Sequence, residues 1–85
     1  MTSYRVSVHI TPRRGILDPQ GKAVENALHS LGFGEVESVR AGKYMEVRVE
    51  AKDKKVAEKQ VGEMCSKLLA NPVIEEYRFE IAAAD

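Results

Sequence analysis

Hydrophobic and polar residues alternate between Tyr4 and Thr11, with Val6, Val8 and Ile10 on one side and Arg5, Ser7, His9 and Thr11 on the other. A period of two is that of a half-buried strand, and Pro12 predicts its end because it has no N–H for a ladder. From Pro19 the period becomes helical, with Val24, Ala27, Leu28 and Leu31 on one stripe and Gly32 as the C-terminal stop. Residues 35–41, EVESVRA, alternate imperfectly and predict a weaker strand, closed by a tight turn at Gly42-Lys43. A clear strand follows, with Met45, Val47 and Val49 against Glu46, Arg48 and Glu50. Asp53 can cap a second helix, whose stripe is Ala57, Val61, Met64 and Leu68. Asn71-Pro72 breaks that helix, and Tyr77, Phe79 and Ile81 alternate with Glu76, Arg78 and Glu80 in a last strand.

The order β-α-β-β-α-β defines an α+β fold of the ferredoxin-like, split β-α-β kind (βαββαβ). Right-handed crossovers then place two helices on one face of a four-stranded antiparallel sheet in the order 4-1-3-2. This topology gathers the loop at 12–18, the turn at 41–43 and the connection at 70–73 at one end. The open face of the sheet carries Arg5, His9, Glu46, Arg48, Glu50, Glu76, Arg78 and Glu80, charges of alternating sign that suit a solvated surface or an oligomer contact.

Length and charge narrow the function. Eighty-five residues make one domain, residues 1–85. Thirteen basic residues balance thirteen acidic ones, so neither nucleic acid nor an anionic membrane is an expected partner. The N-terminus has no basic region followed by an apolar run, which predicts a cytoplasmic protein. Cys65 is the single cysteine, so there is no internal disulfide and no multi-cysteine metal site.

RRGILDPQGKA, residues 13–23, invites comparison with a phosphate-binding loop. The loop signature G-x-x-x-x-G-K-[ST] needs four residues between glycines and a hydroxyl after the lysine. Here five residues separate Gly15 from Gly21, Ala23 replaces the hydroxyl, and Pro19 lacks an N–H. Asp18-Pro19 is instead a helix N-cap followed by proline at the first helical position. Arg13 and Arg14 could still bind an acidic group beside that terminus, although a solvated basic pair is the commoner arrangement. Gly21 in a first helical turn costs ~1 kcal/mol against alanine, which close approach of another backbone would explain, as would simple tolerance. His9 and His29 fall on separate elements, Cys65 borders the apolar stripe of the second helix, and no serine, histidine and acid converge. C-x-x-C is absent, and the central strands lack the aromatics of RNA-recognition domains.

GILDPQGKAVENALHSLGF (15–33), VRAGKYMEV (39–47) and MCSKLLANPVIEEYRFEI (64–81) closely resemble the PurS family, the small subunit of phosphoribosylformylglycinamidine synthase in purine synthesis. The resemblance runs from about Tyr4 to Ile81. It departs at Arg13-Arg14, where members often carry lysine and proline, while the AAAD tail is a variable end. It implies a subunit with no catalytic residue and no cofactor or metal of its own. Its implied partners are further copies of itself, as a dimer or tetramer, a large synthetase subunit that uses ATP and magnesium, and a glutaminase subunit. Residues carried over as partner or oligomer contacts are Arg14, Leu17, Asp18, Pro19, Gly21, Gly42, Lys43, Asn71 and Pro72, with Leu17 anchoring its loop by burial. The alternative from another class is an ACT-like regulatory domain, which shares this architecture and binds a small amino acid at a subunit interface.

Overall fold

The computed structural model describes residues 1–84; Asp85, the end of the AAAD tail, lies outside them. The chain runs β1 (Thr2–Pro12), α1 (Pro19–Ser30), β2 (Lys43–Ala51), α2 (Lys54–Met64), a π-helical turn (Cys65–Leu69) and β3 (Glu75–Ala83). It is an α+β fold with a three-stranded antiparallel sheet in the order β2-β1-β3. In the register, Val6 lies between Val47 and Ile81, Val8 between Met45 and Phe79, and Ile10 opposite Tyr77. Alternation therefore puts the apolar residues of all three strands on one face, where Val6, Val8 and Ile10 are fully buried.

Three strands replace the expected four. The pairing β3-β1-β2 keeps the first three positions of the order 4-1-3-2, but residues 35–41, the expected edge strand, form no strand among the described residues. Local bonds of other kinds hold that segment. The His29 ring bonds to the Val36 carbonyl at 2.7 Å, and the Ala41 N–H donates to the Asp18 carboxylate at 2.9 Å. With no strand there, Gly42 closes no hairpin, and its backbone stays out of the left-handed region.

α2 packs over β1 and β2, burying Ala57 and Val61 against the sheet. Asp53 caps it as expected, accepting from the Val56 N–H at 2.9 Å. The second half of its predicted stripe is different. The Ala70 N–H donates to the Cys65 carbonyl at 2.9 Å, a bond five residues long that widens the last turn. The extra residue rotates Leu68 into solvent and brings Leu69 and Ala70 to the core beside Cys65. Burial in that core raises the Cys65 thiol pKa above its ordinary value.

α1 does not cover the sheet, contrary to the expectation of two helices on one face. Its stripe faces outward, with Val24 42% and Leu31 74% exposed, while the inner face of β3 at Tyr77, Phe79 and Ile81 is only half-covered. The molecule is accordingly a long slab of 51 × 29 × 14 Å. Its radius of gyration is 16.4 Å, against about 12 Å for a compact chain of this length. The α1 terminus itself is well made. Gly32, at φ 102°, lets the Phe33 N–H reach the Leu28 carbonyl and its own N–H reach that of His29, at 3.0 and 3.1 Å.

Candidate functional site

The loops at one end of the slab do lie together, and side chains tie them. Asp18 caps α1 by accepting from the Gly21 N–H at 3.1 Å, and its second oxygen accepts from the Ala41 N–H at 2.9 Å. Backbone N–H groups, first that of Ala41 and then that of Gly21, hold the carboxyl pKa below its usual value; the Arg40 guanidinium adds to this. Pro19 occupies the first helical position, where a missing N–H costs nothing. The anion-attracting end of α1 is thus filled from within the chain, as the sequence had indicated.

Gly21 is buried, and a Cβ there would collide with the Asp18 carboxylate and the Val39 carbonyl. The close neighbour that requires glycine belongs to this same chain. Gly42 answers a similar need: a Cβ there would run into the Ile10 carbonyl. Both glycines let the 39–42 segment press against β1 and α1.

The 71–75 connection completes the end. Asn71 accepts at its side chain from the Val73 N–H at 3.1 Å, and its own N–H donates to Glu75 at 2.8 Å. The Pro72 carbonyl accepts from Arg13 Nε at 3.0 Å, and the Arg13 N–H donates to the Ile74 carbonyl at 2.9 Å. Lys43 pairs with Glu75 at 3.5 Å across the end of the sheet. Arg40 donates to the Pro12 carbonyl and to Glu76, the latter at 3.2 Å.

Seven of the nine residues carried over from the family resemblance therefore lie in or beside this bonded cluster: Asp18, Pro19, Gly21, Gly42, Lys43, Asn71 and Pro72. Arg14 and Leu17 stand apart on the exposed 13–17 loop. Leu17 is 82% exposed and so does not anchor the loop by burial. The anchors are Arg13 and Asp18, whose hydrogen bonds leave the apolar side chain with no packing task. Arg40 and Glu76, which bind the loops across 36 positions of sequence, were missed. Both sat inside expected strands, where a charged residue is merely an outward-facing position.

Two clefts flank this cluster. One, of about 640 Å³, runs between residues 12–18 and 38–40. The other, of about 540 Å³, opens on the polar face of the sheet beside His9, Arg40, Tyr44 and Arg78. On that face the His9 and Tyr44 rings meet at 5.0 Å, and Glu80 lies 3.6 Å from His9 and 3.4 Å from Arg78. Among the described residues no three His, Cys, Asp or Glu side chains are grouped to hold a metal ion. No helix there is long and apolar enough to cross a membrane.

The fold and its end define a small α+β module whose loops are tied together by side chains. The comparisons give its family. The model of the PurS family, described as phosphoribosylformylglycinamidine (FGAM) synthase, matches residues 5–83, and the chain belongs to that family. It is 51% identical over 78 residues to the phosphoribosylformylglycinamidine synthase subunit PurS of Bacillus subtilis, covering 92% of each chain. The structure of PurS from Thermus thermophilus is similar, with a TM-score of 0.86 and 42% identity over 98% of this chain and 99% of that one. A chain in the structure of PurLQS from Thermotoga maritima has a TM-score of 0.84 at 32% identity, covering 99% of this chain and 100% of its own.

Proposed function

We propose that this chain is the non-catalytic small subunit of phosphoribosylformylglycinamidine synthase in de novo purine biosynthesis, working in the cytoplasm. The observation that carries the reading is the family match across residues 5–83. In this role a glutaminase subunit releases ammonia from glutamine, and a large synthetase subunit, holding ATP and magnesium, consumes it. The small subunit keeps the two together. Holding the ammonia source at a fixed short distance replaces dilution into bulk water with a high effective concentration. The tied loop end supports such a task, because a rigid surface loses little conformational entropy when a partner docks.

A homo-oligomer, dimer or tetramer, is part of the proposal. The outward stripe of α1 and the half-covered face of β3 are both apolar and both unpartnered within one chain. Laying α1 of one copy on β3 of another would bury each at roughly 25 cal/mol per Å² of apolar surface. Co-sedimentation tests the bridging role: synthetase and glutaminase should travel together only when this chain is present. If they associate equally well without it, the reading fails.

A further inference from the structure

We propose that the cleft between residues 12–18 and 38–40 seats an acidic segment of a partner protein, one that places an apolar side chain between carboxylates. The proposal rests on the chain acting as an adaptor subunit and gives that role a surface.

Charge is the first argument. The chain as a whole is neutral, yet this cleft gathers Arg13, Arg14, Lys22 and Arg40 against only Asp18 and Glu25. The acidic groups are already engaged. Asp18 accepts two backbone N–H groups, and Glu25 pairs with Lys22 at 3.0 Å. Arg40 is likewise bound to Glu76. With Lys22 and Arg40 paired, Arg13 and Arg14 remain against the single carboxylate of Asp18, an excess of one positive charge. The Arg13 side chain bonds only to the neutral carbonyl of Pro72 and has no ion-pair partner of its own among the described residues.

The second argument is order. Arg13 is fixed by its Nε bond to Pro72 and by its backbone bond to Ile74. Folding has therefore already restricted the cation, and less freedom is lost when a carboxylate arrives. The third is composition. Leu17 is 82% and Ile16 40% exposed on the same wall, an apolar centre beside two cations. Apolar contact bordered by charge is the make-up of a protein-binding spot.

A small anion fits the cleft poorly. In the first turn of α1 the Gly21 N–H is taken by the Asp18 carboxylate, the Lys22 N–H by the Asp18 carbonyl, and Pro19 has none to offer. Exposed arginines in water give a lone anion little, because surface ion pairs are weakened by solvent and salt. A segment that also covers Leu17 gains from apolar burial as well.

The test compares the full chain with an Arg13→Glu/Arg14→Glu double variant and with Leu17→Asp. Binding of each to purified synthetase and glutaminase subunits is measured by interferometry at about 0.05 and 0.5 M salt. The expected result is a loss of affinity of about tenfold or more for one subunit in both variants, and a salt dependence in the wild type that the double variant lacks. Sedimentation of the isolated variants should match the wild type. Variants that bind both subunits as the wild type does overturn the cleft while leaving the adaptor role intact. A wild-type chain that binds neither subunit overturns the adaptor role and the cleft with it. A shift in the variants' own sedimentation assigns the surface to a second copy instead. Saturable binding of inorganic phosphate to the isolated chain, lost in the double variant, makes it a small-anion site. Should the double variant misfold by circular dichroism, Leu17→Asp decides, because Leu17 has no packing role.

Discussion

The carboxylate of Asp18 joins the start of α1 to Ala41, 23 residues further along the chain. One oxygen accepts from Gly21 at 3.1 Å and the other from Ala41 at 2.9 Å, so a helix cap doubles as a tether for the 39–42 segment. Because both bonds favour the ionised form, this group links stability to pH. Its folded pKa lies below the unfolded value of 3.8, so its stabilisation is present above pH 3.8 and is lost as pH falls through the folded pKa. The urea midpoint of the wild type should exceed that of Asp18→Asn at neutral pH. The gap should narrow as pH is lowered past 3.8. A gap that stays constant down to about pH 3 would show that the carboxylate charge plays no part.

Two helical glycines should respond oppositely to alanine. Gly62 in α2 has open space around it, so Gly62→Ala should stabilise the chain by about 0.5–1 kcal/mol. At Gly21 the same change drives a Cβ into the Val39 carbonyl. Gly21→Ala should therefore destabilise by about 1–3 kcal/mol despite its better helix propensity. Denaturant unfolding of the two variants checks this, and shifts of the same sign would contradict the packing described.

The π turn makes a similar contrast between neighbours. Leu68 is 82% exposed, whereas Leu69 packs on the core cluster. Leu69→Ala should cost about 2 kcal/mol, and Leu68→Ala should stay within about 0.5 kcal/mol. The reverse order in thermal melts would mean that an unbroken α-helical register holds in solution.

The outward face of α1 should govern self-association. Leu31→Asp places a charge on a side chain 74% exposed in the single chain. Helix content by circular dichroism should be retained while equilibrium sedimentation shifts to a smaller species. An unchanged mass would remove α1 from the contact between copies.

Much of this arrangement was legible in the chain itself. Alternation in β1, β2 and β3 assigned the strands and their buried faces, because a period of two has one physical meaning when one face meets a core. Asp18-Pro19 announced the α1 cap and excluded the phosphate loop on local chemistry alone. What failed depended on longer-range choices. Residues 35–41 read as a strand, but a strand needs a neighbour, and this segment is held by His29 and Asp18 side chains instead. The stripe of α1 was correctly found, yet periodicity says that a face is apolar and not which surface covers it. The turn at Cys65–Leu69 inserts one residue, which no pattern in CSKLL signals. At the loop end, Asn71-Pro72 marked the end of the second helix, Gly42 marked a close approach to Ile10 and not the expected turn, and Arg40 and Glu76 were invisible because their meeting depends on the sheet order.

The most direct test of the adaptor account is reconstitution with purified synthetase and glutaminase, titrating in this chain and measuring product with glutamine or with free ammonia as the nitrogen source. The account predicts that the glutamine-dependent rate rises steeply with added chain and that the ammonia-dependent rate does not require it. A glutamine-dependent rate that is the same with and without the chain would contradict it.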